Sequence, residues 1–79
     1  MKVQILGTGC SRCAQLEANT KEALRLLGMT DPVDKVTLAK EIARFGMVMP
    51  PALALDGKVV LSGKVATPAE IQTAITSAL

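Results

Sequence analysis

Two cysteines, Cys10 and Cys13, are the residues whose type and spacing could do chemistry in this chain. They follow a short apolar run and open a long segment without Gly or Pro, where a strand would pass into a helix. At a helix N-terminus, unsatisfied N–H groups and the positive end of the helix dipole stabilise a thiolate, the reactive form of cysteine. The spacing therefore predicts a redox-active pair capable of thiol-disulfide exchange.

The two cysteines are expected to act unequally. Cys10 would attack a partner disulfide, and Cys13, buried on the same helical face, would resolve the mixed disulfide by attacking Cys10. Arg12 lies between them and would add positive charge near the thiolate, but a solvated surface arginine is an equal alternative. Thr8 could donate a hydrogen bond to the Cys10 sulfur or be an ordinary turn hydroxyl. Two cysteines buried as small hydrophobes form the less favoured alternative.

The elements that must position this pair follow from the spacing of apolar residues. A strand is expected over Val3–Leu6, followed by a helix over residues 11–27 that Gly28 ends. The spacing of three and four residues gives that helix one buried face. Its members are Cys13, Leu16, Thr20, Ala23, Leu24 and Leu27.

Five further elements are expected after Gly28. They are a strand over Val33–Val36, a helix over residues 38–45 with Thr37 as its N-cap, strands over 51–55 and 58–61 joined by Asp56-Gly57, and a helix begun by the capping box Thr67-Pro68-Ala69-Glu70. The last helix would turn Ile71, Ala74, Ile75 and Ala78 inward. The order βαβαββα predicts an α/β fold with a four-stranded mixed sheet, parallel in its first strand pair and antiparallel in its last, covered by three helices.

Length and composition limit the function. With 79 residues, 49% of them hydrophobic and 20% charged, the chain is expected to be one domain over residues 1–79, neither disordered nor membrane-spanning. The net charge is +2, the basic residues are scattered among acidic ones, and Phe45 is the only aromatic residue. No nucleic-acid partner is therefore expected. No signal-peptide pattern opens the chain, which favours a cytoplasmic protein without a membrane partner.

The segments that carry the cysteines and the second strand pair resemble a known family. Gly7-Thr8-Gly9-Cys10-Ser11-Arg12-Cys13, with Pro50–Gly57 and Gly63, resembles the small thioredoxin-like, glutaredoxin-like redox-active disulfide proteins of prokaryotes, over nearly the whole chain. The resemblance implies a thioredoxin fold and thiol-disulfide oxidoreductase activity without a cofactor. It also implies a disulfide-containing protein as substrate, and a flavoprotein disulfide reductase or a low-molecular-weight thiol as electron source.

The resemblance also implies roles for residues distant from the cysteines. Pro51 matches the family's cis-proline, so a cis peptide bond is expected between Pro50 and Pro51. Gly63 would allow close approach of the backbone beside Pro51, or simply end the last strand. The loop expected to face the substrate comprises Gly9, Ser11, Met49 and Pro50.

The chain departs from the family in three places. Pro50 precedes the cis-proline and has no N–H to lend to an extended substrate. Gln4 stands six positions before Cys10, where larger thioredoxins place a buried Asp that assists proton transfer, so water or another group must accept the Cys13 proton. Gly9 replaces an aromatic residue, which predicts a more open surface around Cys10.

Other functions remain open for the same cysteines. A Cu(I)-type carrier could use both thiolates with Met47 and Met49, although the expected terminal helix and Pro51 argue against the copper-carrier fold. An iron-sulfur carrier could use Cys10 across a dimer, and an adaptor role would leave Cys10 unreactive. A structural zinc site within the chain is not expected, because four ligands are needed and the chain has no His and no further Cys.

Overall fold

The computed structural model describes residues 1–7 and 11–79, so the predictions for Thr8, Gly9 and Cys10 lie outside the described residues. The elements are β1 (Val3–Leu6), α1 (Ser11–Leu26), β2 (Val33–Val36), α2 (Ala39–Ala43), β3 (Ala52–Leu55), β4 (Lys58–Ser62) and α3 (Pro68–Ala78). This order and the four-stranded sheet confirm the α/β fold that the resemblance implies.

The strands form one mixed sheet in the order β2-β1-β3-β4. β1 runs parallel to β2, with Val3 aligned with Val33, and antiparallel to β3, with Val3 aligned with Leu55. β3 and β4 form the predicted antiparallel hairpin, with a register irregularity between Leu53 and Ala54. β1 and β3 therefore occupy the centre of the sheet, where both faces are covered and every residue of the two strands is buried.

The two faces of the sheet bury different residues. Val3 and Ile5 of β1 pack against α1 and α3, in a core that also contains Leu16, Ala23, Leu24, Leu53, Leu55, Ala66, Ile71 and Ile75. Leu6 packs on the opposite face, with Ile42, Ala52 and Ala54. Because side chains alternate along a strand, each residue of β1 faces one side of the sheet or the other.

Gly28 ends α1 as the sequence predicts. It has a φ of 71°, its N–H donates to the carbonyl oxygen of Arg25 at 3.0 Å, and the N–H of Met29 donates to that of Leu24 at 2.9 Å. This is a Schellman motif, in which a left-handed residue satisfies the last carbonyl groups of the helix. α1 buries five of the six predicted face residues, and Leu27, just beyond its end, is half-buried against the same core.

The predicted N-cap of α2 is wrong. The N-cap residue is Leu38, not Thr37, and no side chain caps this end. The helix is also shorter than the predicted range 38–45, because the N–H groups of Phe45 and Gly46 bond to carbonyls three residues earlier, those of Ile42 and Ala43. Such bonds tighten the chain into a turn and end the α-helix at Ala43.

The capping box of α3 forms as predicted. The N–H of Glu70 donates to Thr67 Oγ1 at 3.2 Å, and the N–H of Thr67 donates to Glu70 Oε1 at 3.1 Å, with Pro68 in the first turn. The inward face is narrower than expected: Ile71 and Ile75 are buried and Ala74 is half-buried, but Ala78 is exposed in the last turn. No helix in the described ranges is long and apolar enough to span a bilayer.

Replacing Thr67 by Ala tests the capping box. Thr67→Ala removes the acceptor for the Glu70 N–H, and we expect a loss of about 1 kcal/mol in the free energy of unfolding, measured by urea denaturation. Thr73→Ala is the control, since Thr73 is an exposed threonine inside the same helix and Ala is the better helix former. Equal effects of the two substitutions would contradict a capping role.

The same box predicts a pH dependence. The pKa of Glu70 is lowered from 4.5 to about 2. The main cause is a hydrogen bond from the Lys64 ammonium, and a hydrogen bond from the Thr67 N–H is the second. A lowered pKa in the folded state gives a stability contribution that is present above pH 4.5 and lost as the pH falls toward 2. We therefore expect Glu70→Gln to flatten the fall in unfolding free energy within this window, and Lys64→Met to flatten part of it. Parallel pH profiles for wild type and Glu70→Gln would refute this assignment.

Candidate active site

The Cys13 thiol is buried against the end of β1. Cys13 lies in the first turn of α1 with 7% of its surface exposed. A Cβ built on Gly7 would overlap the Cys13 sulfur, and it would lie 3.3 Å from the Cys13 Cβ and 3.9 Å from the Pro50 Cβ. The Cys13 thiol and Pro50 therefore both lie on the side of Gly7 where a side chain would project, and any side chain at this position would displace the sulfur.

Gly7 is a functional residue that the sequence interpretation missed. In the sequence it appears only as the first residue of the motif that carries the family resemblance, and no role of its own is predicted for it. Its φ lies outside the left-handed region, so space and not backbone conformation demands glycine here. Its N–H donates to the carbonyl oxygen of Val36 at 3.0 Å, which continues the pairing of β1 with β2 and fixes the backbone beside Cys13.

The Pro50–Pro51 segment also lies close to Gly7, since a Cβ on Gly7 would approach the Pro50 Cβ to 3.9 Å. The peptide bond between the two prolines is cis, as the resemblance implies. Pro51 is fully buried and leads into β3, whereas Pro50 is exposed. The structure therefore brings Cys13, Gly7 and Pro50 together, although Pro50 and Cys13 are far apart in the sequence.

Gly63 lies beside this proline segment. It has a φ of 77°, which favours glycine, and its N–H is shared between the carbonyl oxygens of Met49 at 2.7 Å and Pro51 at 3.1 Å. Gly63 also directly follows the last residue of β4, so both alternatives considered from the sequence describe its position. The shared N–H ties the end of β4 to the residues that flank Pro50.

The remaining predicted site residues are exposed. Ser11 and Arg12 lie in the first turn of α1, and Arg12 forms no ion pair with another described residue. Met49 is 72% exposed next to Pro50, and Met47 is fully exposed. Cys10, Thr8 and Gly9 lie outside the described residues, so their predicted roles stay predictions.

Gln4 does not lie on the Cys13 side of the sheet. It alternates with Val3 and Ile5, which face α1, and it lines a pocket together with Val36 and Phe45 on the α2 side. Its side chain is buried, and Oε1 accepts no hydrogen bond from the described residues. Neither its position nor its chemistry allows Gln4 to accept the Cys13 proton.

A small pocket of about 120 Å³ opens beside Cys13. Its lining residues are Ile5, Gly7, Cys13, Ala14, Glu17, Lys35 and Thr37. The Glu17 side chain is only 17% exposed, and its carboxylate pairs with Lys21 at 3.3 Å and with Lys35 at 3.6 Å. The sequence interpretation missed Glu17 and Lys35. For Glu17 a signal exists, because it follows Cys13 by four residues and the two therefore share one helical face.

No group of three or more His, Cys, Asp or Glu side chains that could hold a metal ion occurs within residues 1–7 and 11–79. The two methionines considered as soft-metal ligands, Met47 and Met49, border an apolar groove with Ala39, Ile42, Ala43, Gly46 and Val48. That groove belongs to α2 and the loop after it, so the arrangement indicates an exposed apolar surface near the proline segment.

Comparison with known proteins agrees with this geometry. The family model described as "Thioredoxin domain" matches residues 1–76. The chain is 40% identical over 72 residues to a protein named "Thioredoxin" from Methanothermobacter thermautotrophicus, covering 91% of this chain and 94% of that protein. It is 38% identical over 77 residues to a "Thioredoxin" from Methanocaldococcus jannaschii, covering 98% of this chain and 88% of that protein.

These matches cover the strands, the helices and the proline segment together. They do not favour the copper-carrier or iron-sulfur-carrier alternatives, because both relatives are named as thioredoxins. The chain belongs to the thioredoxin domain family and is a thiol-disulfide oxidoreductase.

Proposed function

We propose that Cys10 and Cys13 are the exchanging pair of this oxidoreductase, with Cys10 as nucleophile and Cys13 as resolving thiol. The observation that carries the proposal is the burial of the Cys13 sulfur against Gly7, next to Pro50. A thiol enclosed in this way is poorly accessible to an external disulfide, but it can react with the sulfur of a cysteine three residues earlier in the sequence. Its role is therefore to attack Cys10.

The reaction consists of two exchanges. The Cys10 thiolate attacks one sulfur of a substrate disulfide, which forms a mixed disulfide and releases the other substrate sulfur as a thiolate. Cys13 then loses its proton and attacks the Cys10 sulfur, so that the Cys10–Cys13 bond forms and the second substrate thiolate leaves. The substrate gains two electrons and the enzyme loses two. A flavoprotein disulfide reductase or a low-molecular-weight thiol would return them.

The proposed substrate is a protein that exposes a disulfide. Pro50 has no N–H, and the carbonyl oxygen of Met49 accepts a hydrogen bond from Gly63. Pairing of an extended substrate with this segment is therefore limited, since one donor is absent and one acceptor is used. The exposed side chains of Met47 and Met49 offer apolar contact in its place. The cytoplasm, where thiols are kept reduced, is the proposed compartment.

Trapping of the intermediate tests the two roles. We expect reduced wild type to lose about two mass units on reaction with an aromatic disulfide such as dithiobis(nitrobenzoate), because the intramolecular disulfide forms. Cys13→Ser should retain one covalent adduct at Cys10, and Cys10→Ser should react slowly because Cys13 is buried. Mass spectrometry of quenched samples measures the products of all three proteins. Absence of a lasting adduct in Cys13→Ser, or alkylation of Cys10 no faster than free cysteine at neutral pH, would refute the proposal.

A double-mutant cycle tests the contact between Gly7 and the sulfur. Gly7→Ala adds a methyl group where the Cys13 sulfur lies, and overpacking of this kind costs about 1–3 kcal/mol. In a Cys13→Ala background the sulfur is gone, so Gly7→Ala should cost less, and the difference is the coupling energy. Urea denaturation under reducing conditions measures all four free energies. A coupling energy of zero would show that Gly7 is not needed for the thiol.

A further inference from the structure

The resolving step needs a proton acceptor that the family's usual position does not supply. Cys13 must lose a proton before its sulfur can attack. Gln4 cannot titrate and lies on the opposite face of the sheet, toward Val36 and Phe45. The acceptor must therefore come from the α1 side, where the Cys13 pocket opens.

Glu17 is the carboxylate that lines this pocket. It follows Cys13 by one helical turn, so the two side chains lie on one face of α1. The Glu17 side chain is 17% exposed, far less than that of Glu22 at 42%, which does not line the pocket and pairs with Arg25. The pocket volume of about 120 Å³ also leaves room for water between the thiol and the carboxylate.

Lys35 fixes this carboxylate from the neighbouring strand. Lys35 is aligned with Ile5 in the parallel pairing of β1 and β2, so it faces α1 from the edge of the sheet. Its Nζ lies 3.6 Å from Glu17 Oε1, while Lys21 Nζ lies 3.3 Å from Oε2. Both lysine side chains are more than half exposed, and such exposed pairs orient a carboxylate more than they stabilise the fold.

We propose that Glu17 accepts the Cys13 proton, directly or through one water, as Cys13 attacks the mixed disulfide. The inference rests on the proposed roles of Cys10 and Cys13. In this step the Cys13 S–H bond breaks and its proton passes to the Glu17 carboxylate. The new Cys13–Cys10 bond forms as the bond from Cys10 to the substrate sulfur breaks. The substrate leaves as a thiolate, and Glu17 returns its proton to solvent.

The charged groups around Glu17 are few in the part of the chain that the structure describes. Lys21 faces it from α1 and Lys35 from β2, and the Cys13 thiol shares the pocket. The pocket residues Ile5 of β1 and Gly7 just after it carry no titratable group, and neither does Thr37 after β2. The pH dependence of the resolving step should therefore reflect Cys13 and its acceptor.

Two-phase kinetics with dithiobis(nitrobenzoate) separate the resolving step from the first attack. The first equivalent of released thionitrobenzoate marks attack by Cys10, and the second marks resolution by Cys13. For Glu17→Gln we expect an unchanged first phase and a second phase at least about tenfold slower at pH 7. The expected slowing of about tenfold is smaller than the usual 10²- to 10⁴-fold contribution of a general base, because water in the open pocket also accepts protons. Glu22→Gln is the matched control on the same helix and should change neither phase.

The pH profile distinguishes proton transfer from a structural role. The second phase of Glu17→Gln should rise with hydroxide up to about pH 8.5, where a thiol ionises unaided, and should approach the wild-type rate above about pH 9.5. The wild-type second phase should depend less steeply on pH. A variant whose second phase is unchanged or faster overturns the inference, and so does a wild-type rate proportional to hydroxide below about pH 8.5. If no first phase occurs at Cys10, the proposed function itself fails.

Discussion

The backbone of Gly7 lies so close to the Cys13 sulfur that no side chain fits between them, and this contact sets the relation of three segments. Gly7 directly follows β1 and its N–H donates to the carbonyl oxygen of Val36, so its position is fixed by the pairing with β2. Cys13 is fixed by α1, whose apolar face is buried against β1. Pro50 approaches the same glycine from the residues that lead into β3. A shift of any one segment would move the sulfur or open its enclosure.

The sheet explains why the site can form beyond the end of β1. β1 and β3 are central and wholly buried, so two cores meet along them, one under α1 and α3 and one under α2. Alternation along β1 then assigns Ile5 to the Cys13 side and Gln4 to the other. A polar residue at position 4 is therefore separated from the thiol by the sheet itself. Among the described residues, the charged groups on the Cys13 side of the sheet come from α1 and from the face of β2 that carries Lys35.

Local signals in the sequence predict the elements and their order. Contacts between residues that are distant in the sequence cannot be predicted from such signals. Gly28 and the Thr67 capping box act within a few residues, and both were predicted correctly. The prediction of Thr37 as N-cap of α2 was wrong because that helix starts one residue later than the sequence pattern suggests. Gly7 was missed because its need for space depends on α1 and on Pro50. Lys35 was missed because only the register of β2 against β1 turns it toward Glu17.

A small domain gains from keeping a proton acceptor at the edge of its sheet. A carboxylate buried in the core must be paired and hydrogen-bonded, and its desolvation costs stability that a chain of 79 residues has little capacity to lose. Glu17 stays partly solvated between two exposed lysines while it still lines the Cys13 pocket, so its burial is incomplete and the desolvation cost is small. With an uncharged Gln at position 4, the core beneath the sheet avoids a buried charge. Proton transfer then follows the pocket to solvent, and the core serves packing alone.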